Sequence, residues 1–173
     1  AIIEYSEGHD LQLASHASLE AQVAALADDI AYNGHDIDDG LRARLFDIID
    51  LGDVPLVGAA LAEVLKLYPD LERPRVIHET VRRVISSMVR DVTTETQKAL
   101  RKAGVKSADE VRGYGRTLAS FSPQMVENNR MLQKFLRERM YRHERVMEVM
   151  ERAQRILHNL FNAYMNDPKL LPK

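Results

Sequence analysis

Apolar residues recur along this chain at the three- and four-residue spacing of an α-helix. Ser15 or Ser18 can cap the first helix, and the apolar stripe that follows is made of Leu19, Val23, Leu26 and Ile30. Gly34 either interrupts this helix or lets another element approach it closely. The pattern therefore predicts an amphipathic helix that starts just after Ser15 or Ser18 and buries this stripe.

Glycine and proline divide the next stretch into shorter segments. After Gly40 we expect a second, short amphipathic run made of Leu41, Leu45, Ile48 and Ile49. Residues 52–55 read Gly-Asp-Val-Pro, which is typical of a turn. A helix is then expected over residues 56–68, closed by Pro69.

Long helical patterns occupy the rest of the chain. One helix is expected from near Pro74 to Gly104, and the periodicity weakens over residues 107–121. Another helix starts at Pro123, and the last runs from about residue 142 to 166. The Met and aromatic positions of these last two helices are interpreted as core, and they are Met131, Phe135, Met140, Phe161 and Tyr164.

No segment alternates apolar and polar residues with a period of two, so the sequence favours an all-α fold. The composition changes near residues 72–74, where an acidic stretch gives way to a basic one. Residues 1–72 contain 3 Lys and Arg against 15 Asp and Glu, and residues 73–173 contain 21 against 11. We therefore expect a subdomain boundary between residues 1–72 and 73–173.

The basic half concentrates its charge in the last two helices, at Arg130, Lys134, Arg137, Arg139, Arg142, Arg145, Arg152 and Arg155. Three interpretations fit this asymmetry. It could bind the phosphates of an effector nucleotide or of nucleic acid. It could form an oligomer interface with a complementary acidic patch, or it could be a set of solvated helix faces on which Glu side chains pair with Arg.

The chain has no cysteine, which excludes disulfides, thiolate nucleophiles and iron–sulfur ligation. Any metal is therefore expected to be held by His, Asp and Glu. No apolar run approaches the ~18 residues that cross a bilayer, and no signal-peptide pattern opens the chain, so we expect a cytoplasmic protein with no membrane partner. Because the chain opens at Ala1, a processed or cut amino terminus is expected.

The densest polar cluster lies at residues 28–40, on or just after the first helix. Helical geometry would place Asp28, Tyr32, His35 and Asp36 on neighbouring turns of one face. Stacked carboxylates repel one another unless a cation lies among them, so the cluster indicates a binding site. The alternative for residues 36–39 is a solvated Asp-rich loop. The spacing does not fit an EF-hand, and the chain has no phosphate-binding Gly loop and no nucleophile elbow.

Three segments together resemble the HD-domain deoxynucleoside triphosphate triphosphohydrolases, the deoxyguanosine triphosphohydrolase-like family. They are residues 17–23 (ASLEAQV), 27–32 (ADDIAY) and 35–42 (HDIDDGLR). Residues 82–92 and the helices behind them are similar to the C-terminal helical region of that family. The resemblance implies an HD-domain-type helical bundle with long helices. It also implies that residues 1–72 are the C-terminal part of the catalytic core and residues 73–173 the helical phosphohydrolase-associated region.

The same resemblance implies roles for three residues. Asp28 matches the last of the family's His and Asp ligands to a divalent metal, which would be Mg, Mn or another transition metal. Tyr32 and Asp36 match the Tyr and Asp that lie beside the deoxyribose. The implied reaction is hydrolysis of a deoxynucleoside triphosphate to the deoxynucleoside plus triphosphate, and a homo-oligomer is the expected assembly.

The chain departs from the family upstream of these residues. The family's His-Asp dyad lies in a His-Asp-x-Gly-His segment, whereas the only earlier pair here is His9-Asp10, which we interpret as a coincidental surface pair. The other metal ligands and the catalytic acid or base are therefore expected outside this chain, which alone should be inactive. Two alternatives remain: a non-catalytic helical module that binds nucleotides or nucleic acid, and an HD phosphohydrolase acting on other nucleotides.

Overall fold

A computed structural model describes His9 and residues 14–171. The helices are α1 (Leu19–Arg42), α2 (Pro55–Leu67), α3 (Arg73–Ala103), α4 (Ala108–Arg112), α5 (Pro123–Leu136) and α6 (Glu144–Asn166). Short 3-10 turns lie at Ile48–Asp53 and Pro168–Leu170, and a π-helical turn lies at Arg137–Tyr141. The described part of the chain contains no β-strand, which confirms the all-α prediction. None of these helices is both long and apolar enough to cross a membrane.

The first helix begins where the sequence predicts. The Ser18 hydroxyl accepts a hydrogen bond from the Ala21 amide at 3.4 Å, so Ser18 is the N-cap. The predicted buried stripe is only partly correct, because Ile30 is buried whereas Val23 is 40% exposed. The buried side of α1 faces mainly α3 but also α5 and the segment before it, and it consists of Gln22, Ile30, Asn33, Gly34, Ile37, Gly40 and Leu41.

Gly34 allows α3 to approach α1 closely, and it does not interrupt the helix. A Cβ atom at this position would lie 3.0 Å from the Cδ1 atom of Ile85 on α3. The helix continues through Gly40 to Arg42, so residues 36–39 are helical and the loop alternative is wrong. The short amphipathic run expected after Gly40 is also wrong, since it divides between the end of α1 and the 3-10 turn, where Ile49 is 79% exposed.

The middle of the chain follows the predicted boundaries closely. Proline lies in the first turn of α2 and of α3, where its missing amide costs no helical hydrogen bond. Gly104 ends α3 in the left-handed conformation, with φ of 67°. The helices α1 and α2 both pack on α3, and the completely or nearly completely buried side chains include Ile37, Leu51, Val84, Met88 and Leu132.

One hydrophobic core therefore includes residues from both sides of the boundary expected near residue 72. The boundary itself stays a prediction. It marks a change in surface charge, while the packing on either side of it is continuous.

Three polar contacts fix the chain around residues 118–129 against α1 and α3. The buried Gln22 accepts hydrogen bonds from the amides of Leu118 and Ala119, at 2.7 and 3.1 Å. Asp91 on α3 accepts from the Ser122 amide and hydroxyl, at 2.8 and 2.7 Å. Asn33 donates to Asn129 at 2.7 Å. These contacts place α5 and the π-helical turn beside α1.

The last helix packs differently from the others. None of the residues of α6 is buried, and it contacts mainly the short turns at its two ends. The prediction that Phe161 belongs to the core is wrong, because its side chain is 63% exposed, and Met131 on α5 is also exposed. Phe135 does pack inward, where its ring meets that of Phe46 edge to face with centroids 5.2 Å apart.

Candidate functional site

The helical conformation of residues 28–36 determines where the predicted site residues lie. Asp28, Tyr32 and Asp36 follow one another at intervals of one turn along α1. Asp28 is exposed, Tyr32 is 62% exposed, and Asp36 is half-buried. The three side chains therefore progress from open solvent toward the junction of α1 with the end of α5.

Tyr32 and Asp36 line one cleft of about 480 Å³ between α1 and the π-helical turn. Asp29 and Asn33 lie on the same wall, and the opposite wall is formed by Gln133, Leu136, Arg137 and Tyr141. Asp28 is not among the residues that line this cleft. The structure thus brings together two of the three predicted residues and leaves the third beside them on the helix surface.

The π-helical turn explains why Tyr141 reaches this cleft. The Arg142 amide donates to the Arg137 carbonyl at 3.1 Å, a five-residue hydrogen bond that widens the helix by one residue. This insertion changes the rotation of the chain after α5, and the Tyr141 side chain turns toward α1. Its hydroxyl donates a hydrogen bond to Oδ2 of Asp36.

This hydrogen bond has a clear electrostatic effect. Because its hydroxyl donates to a carboxylate, and because burial and the Asp36 charge act in the same direction, the pKa of Tyr141 is raised to about 12. The Oδ1 atom of Asp36 accepts no hydrogen bond from the described residues. Two carboxylates, two phenols and one arginine therefore line the cleft, which suits a ligand that carries hydroxyl groups.

The residues beside Asp28 do not form a complete metal site. No group of three or more His, Asp or Glu side chains able to hold a metal occurs within His9 and residues 14–171. His35, expected on the same face as Asp28, lines a separate apolar groove of about 510 Å³ between α1 and α3. Asp28 lies on the crest of α1 between that groove and the Tyr32 cleft. His9 is exposed, and Asp10 lies outside the described residues.

Several of the basic side chains near the C-terminus have partners within the chain. Arg130 pairs with Glu127 at 2.6 Å, and Arg139 pairs with Asp50 at 3.5 Å. Arg145 donates to the Ala43 carbonyl at 3.3 Å, which fastens the start of α6 to the end of α1. The interpretation as paired and solvated helix faces therefore accounts for part of this charge.

Sequence reasoning did not single out Tyr141, Gln133 or Asn33 as site residues. Tyr141 is separated from Asp36 by 105 positions, and it enters the cleft through a π-helical turn that no apolar periodicity indicates. Arg137 was named only as part of the basic set. Only the distant pairing of the two elements could have identified these residues.

Comparison with known proteins gives two results. Residues 119–173 match the model of the phosphohydrolase-associated domain. The chain is 54% identical over 171 residues to a protein of Parvibaculum lavamentivorans named deoxyguanosinetriphosphate triphosphohydrolase-like protein, 48% identical over 170 residues to that of Rhizobium meliloti, and 49% identical over 172 residues to that of Caulobacter vibrioides.

These alignments cover 98 to 99% of this chain but only 42 to 44% of each relative. The chain thus spans less than half the length of the curated relatives it matches. The resemblance read from residues 17–42 and 82–92 is confirmed. Over nearly its whole length, this chain is similar to the deoxyguanosinetriphosphate triphosphohydrolase-like proteins, and its residues 119–173 match the phosphohydrolase-associated domain.

Proposed function

We propose that this chain is the C-terminal part of a metal-dependent triphosphohydrolase that acts on deoxynucleoside triphosphates. The observation that carries the proposal is the cleft in which Tyr32 and Asp36 meet Arg137 and Tyr141. The name of the relatives supports the class of substrate. In this proposal the chain supplies the sugar side of the active site.

The geometry of the cleft fits a deoxyribose. Asp36 offers a carboxylate oxygen to a sugar hydroxyl, and the Tyr141 hydroxyl fixes the carboxylate in place from the other side. Tyr32 presents a largely exposed ring at the mouth, against which a sugar can pack. Arg137 on the opposite wall adds a positive charge for a phosphate oxygen.

The proposed metal requires residues beyond this chain. A single carboxylate does not hold a catalytic divalent ion tightly, and the described residues offer no set of three ligands near Asp28. We infer that Asp28 completes a site whose other ligands come from upstream sequence. Its place on the crest of α1 leaves it accessible to such a segment, and the apolar groove beside it, lined by Ile30, Val81 and Ile85, offers a surface for packing.

The proposed reaction is cleavage of the bond between the 5′ oxygen and the α-phosphorus by water, which releases the deoxynucleoside and triphosphate. The residues of this chain bind and orient the sugar, and none of them is assigned as the proton donor or acceptor. The isolated chain is therefore expected to bind poorly and to hydrolyse nothing.

The experiment that tests this proposal uses the parent protein. The coding sequence upstream of Ala1 should encode a His and a His-Asp-x-Gly-His run, and the purified parent should release inorganic triphosphate from deoxynucleoside triphosphates. A screen that also includes monophosphates and ribonucleotides separates this activity from an HD phosphohydrolase with another substrate. A parent without those motifs and without triphosphate release would leave the chain a nucleotide- or nucleic-acid-binding module, and the proposal would be wrong.

A further inference from the structure

The helix α6 has a broad apolar face that nothing in the described part of the chain covers. Eight large apolar side chains of this helix are 39 to 67% exposed, namely Met147, Val149, Met150, Ile156, Leu157, Leu160, Phe161 and Met165. No residue of the helix is buried. Scattered apolar residues are normal on a protein surface, but a continuous stripe along 23 residues marks an interaction site.

The spacing of this stripe identifies the kind of partner. Six apolar residues follow a strict heptad pattern over three repeats, at Val146, Val149, Ala153, Ile156, Leu160 and Ala163. We call these six residues the α6 seam. Met150, Leu157 and Tyr164 extend the seam on one flank, while Arg145 and Arg152 keep the other flank polar. A heptad seam packs against another helix of similar length.

We propose that the α6 seam packs antiparallel against the α6 seam of a second copy of this chain. The order of large and small residues supports this arrangement. With the twofold axis near the middle of the seam, each alanine faces a larger residue, because Ala153 faces Ile156 of the other copy and Ala163 faces Val146. Val149 then faces Leu160. A parallel pair would instead place alanine against alanine in two layers and leave voids there.

The extent of the exposed face is just sufficient for a specific pair. Five of these side chains lie on the seam or its apolar flank, and together they expose an apolar area on the order of 500 Å². Two copies would therefore bury about 1,000 Å² in total, which is the lower limit for a specific interface. The seam runs from Val146 to Ala163, so two interdigitated seams would pack over about five turns, or about 27 Å. Antiparallel packing also opposes the two helix dipoles.

This association is independent of the proposed chemistry, and the chain as it stands can test it. Sedimentation equilibrium across a concentration series should show a reversible dimer. Ile156→Glu should raise the dissociation constant by at least roughly 30-fold, because each copy would place a charge in the central layers. Met165→Glu is the matched control, since Met165 is equally apolar and 66% exposed but lies off the seam, and this variant should still dimerise.

The orientation can be tested because the chain has no cysteine of its own. Under mild oxidation, a mixture of Val149→Cys and Leu160→Cys chains should form a mixed disulfide, while neither variant alone should cross-link efficiently. Self-cross-linking of Val149→Cys would indicate a parallel pair and overturn the proposal.

A chain that stays monomeric at all concentrations would show that the α6 seam does not pair with itself, and it would equally overturn the proposal. So would an Ile156→Glu variant that dimerises as tightly as the parent chain, since the contact would then lie elsewhere. Far-ultraviolet circular dichroism of each variant shows whether the helices remain folded, and Leu160→Ser provides a milder seam variant should Ile156→Glu unfold.

Discussion

The Tyr141 hydroxyl donates a hydrogen bond to the carboxylate of Asp36 across 105 positions of sequence. The contact joins the π-helical turn to α1 and closes one end of the proposed sugar cleft. It is one of several electrostatic contacts between residues 1–72 and 73–173, beside the ion pairs of Arg83 with Glu63 and of Arg139 with Asp50. The first prediction follows from the pair of Tyr141 and Asp36.

The titration of Tyr141 should depend on Asp36. Because the pKa of Tyr141 is raised from 10.0 to about 12, its neutral form stabilises the fold. This contribution is fully present below about pH 10 and is lost as the pH rises through 12. Asp36→Asn should return the pKa of Tyr141 toward its ordinary value. The tyrosinate absorbance of the chain and of Tyr141→Phe, measured by difference, isolates this group among the six tyrosines. An unchanged titration in Asp36→Asn would contradict the assigned cause.

Gln22→Leu should destabilise the fold strongly. The substitution leaves the Leu118 and Ala119 amides buried without an acceptor, which costs about 2 to 5 kcal/mol of unfolding free energy. Gln22→Glu keeps the acceptor, but it buries a charge and sets a second oxygen against the Ala17 carbonyl, so it should also destabilise the fold. The exposed Gln97→Leu on α3 is the control, and its effect should stay within about 0.5 kcal/mol. Urea unfolding of the three variants measures the differences.

Gly58→Ala should also destabilise the chain, for a steric reason. A Cβ atom at this position would lie 2.0 Å from the carbonyl oxygen of Gly52, so the 3-10 turn would have to move. We expect a loss of at least about 2 kcal/mol, in spite of the better helix propensity of alanine. Gly52→Ala meets no atom within 4 Å and should change the free energy of unfolding much less. Equal effects of the two substitutions in thermal unfolding would show that the close approach of Gly58 to the Gly52 carbonyl does not cause the destabilisation.

In the intact parent protein, substitution of Asp28 should affect metal binding, whereas substitution of Tyr32 should affect sugar binding. Asp28→Ala should lose bound metal and turnover while α1 stays folded, because an exposed helical Asp contributes little to stability. Tyr32→Ala should keep the metal and bind the deoxynucleotide more weakly. Metal analysis beside nucleotide titration measures both effects, and the exposed Asp53→Ala serves as control. If Asp28→Ala hydrolyses deoxynucleotides at the parental rate, the assignment of Asp28 as a metal ligand is wrong.

The fold was largely predictable because its helices have strong local determinants. Ser18, one of the two predicted caps, begins α1, and Gly104 ends α3 as the sequence predicts. The helix predicted from residue 56 begins one residue earlier, at Pro55. The buried face of α1 was harder to predict. Gly34 and Gly40 carry no side chain, so they weaken the apolar periodicity at the positions where packing is tightest.

The site was predictable only where its residues share one helix. The interval of one turn places Tyr32 and Asp36 together whatever packs against α1. The other wall depends on the register between α1 and α5, which Asn33 and Asn129 fix through a contact between distant positions. Local pattern contains no information on such a contact, and Tyr141 was missed for that reason.

The three polar contacts around residues 118–129 have a consequence for how this chain tolerates change. Gln22 and Asp91 supply acceptors to backbone amides that belong to the segment entering the phosphohydrolase-associated domain. That segment therefore depends on side chains of the preceding helices α1 and α3 to accept some of its backbone hydrogen bonds. If residues 119–173 were grafted onto an unrelated host, the Ala119 and Ser122 amides would lose their acceptors. Homologous recombination between relatives should succeed only when the donor of α1 and α3 also provides the matching glutamine and aspartate.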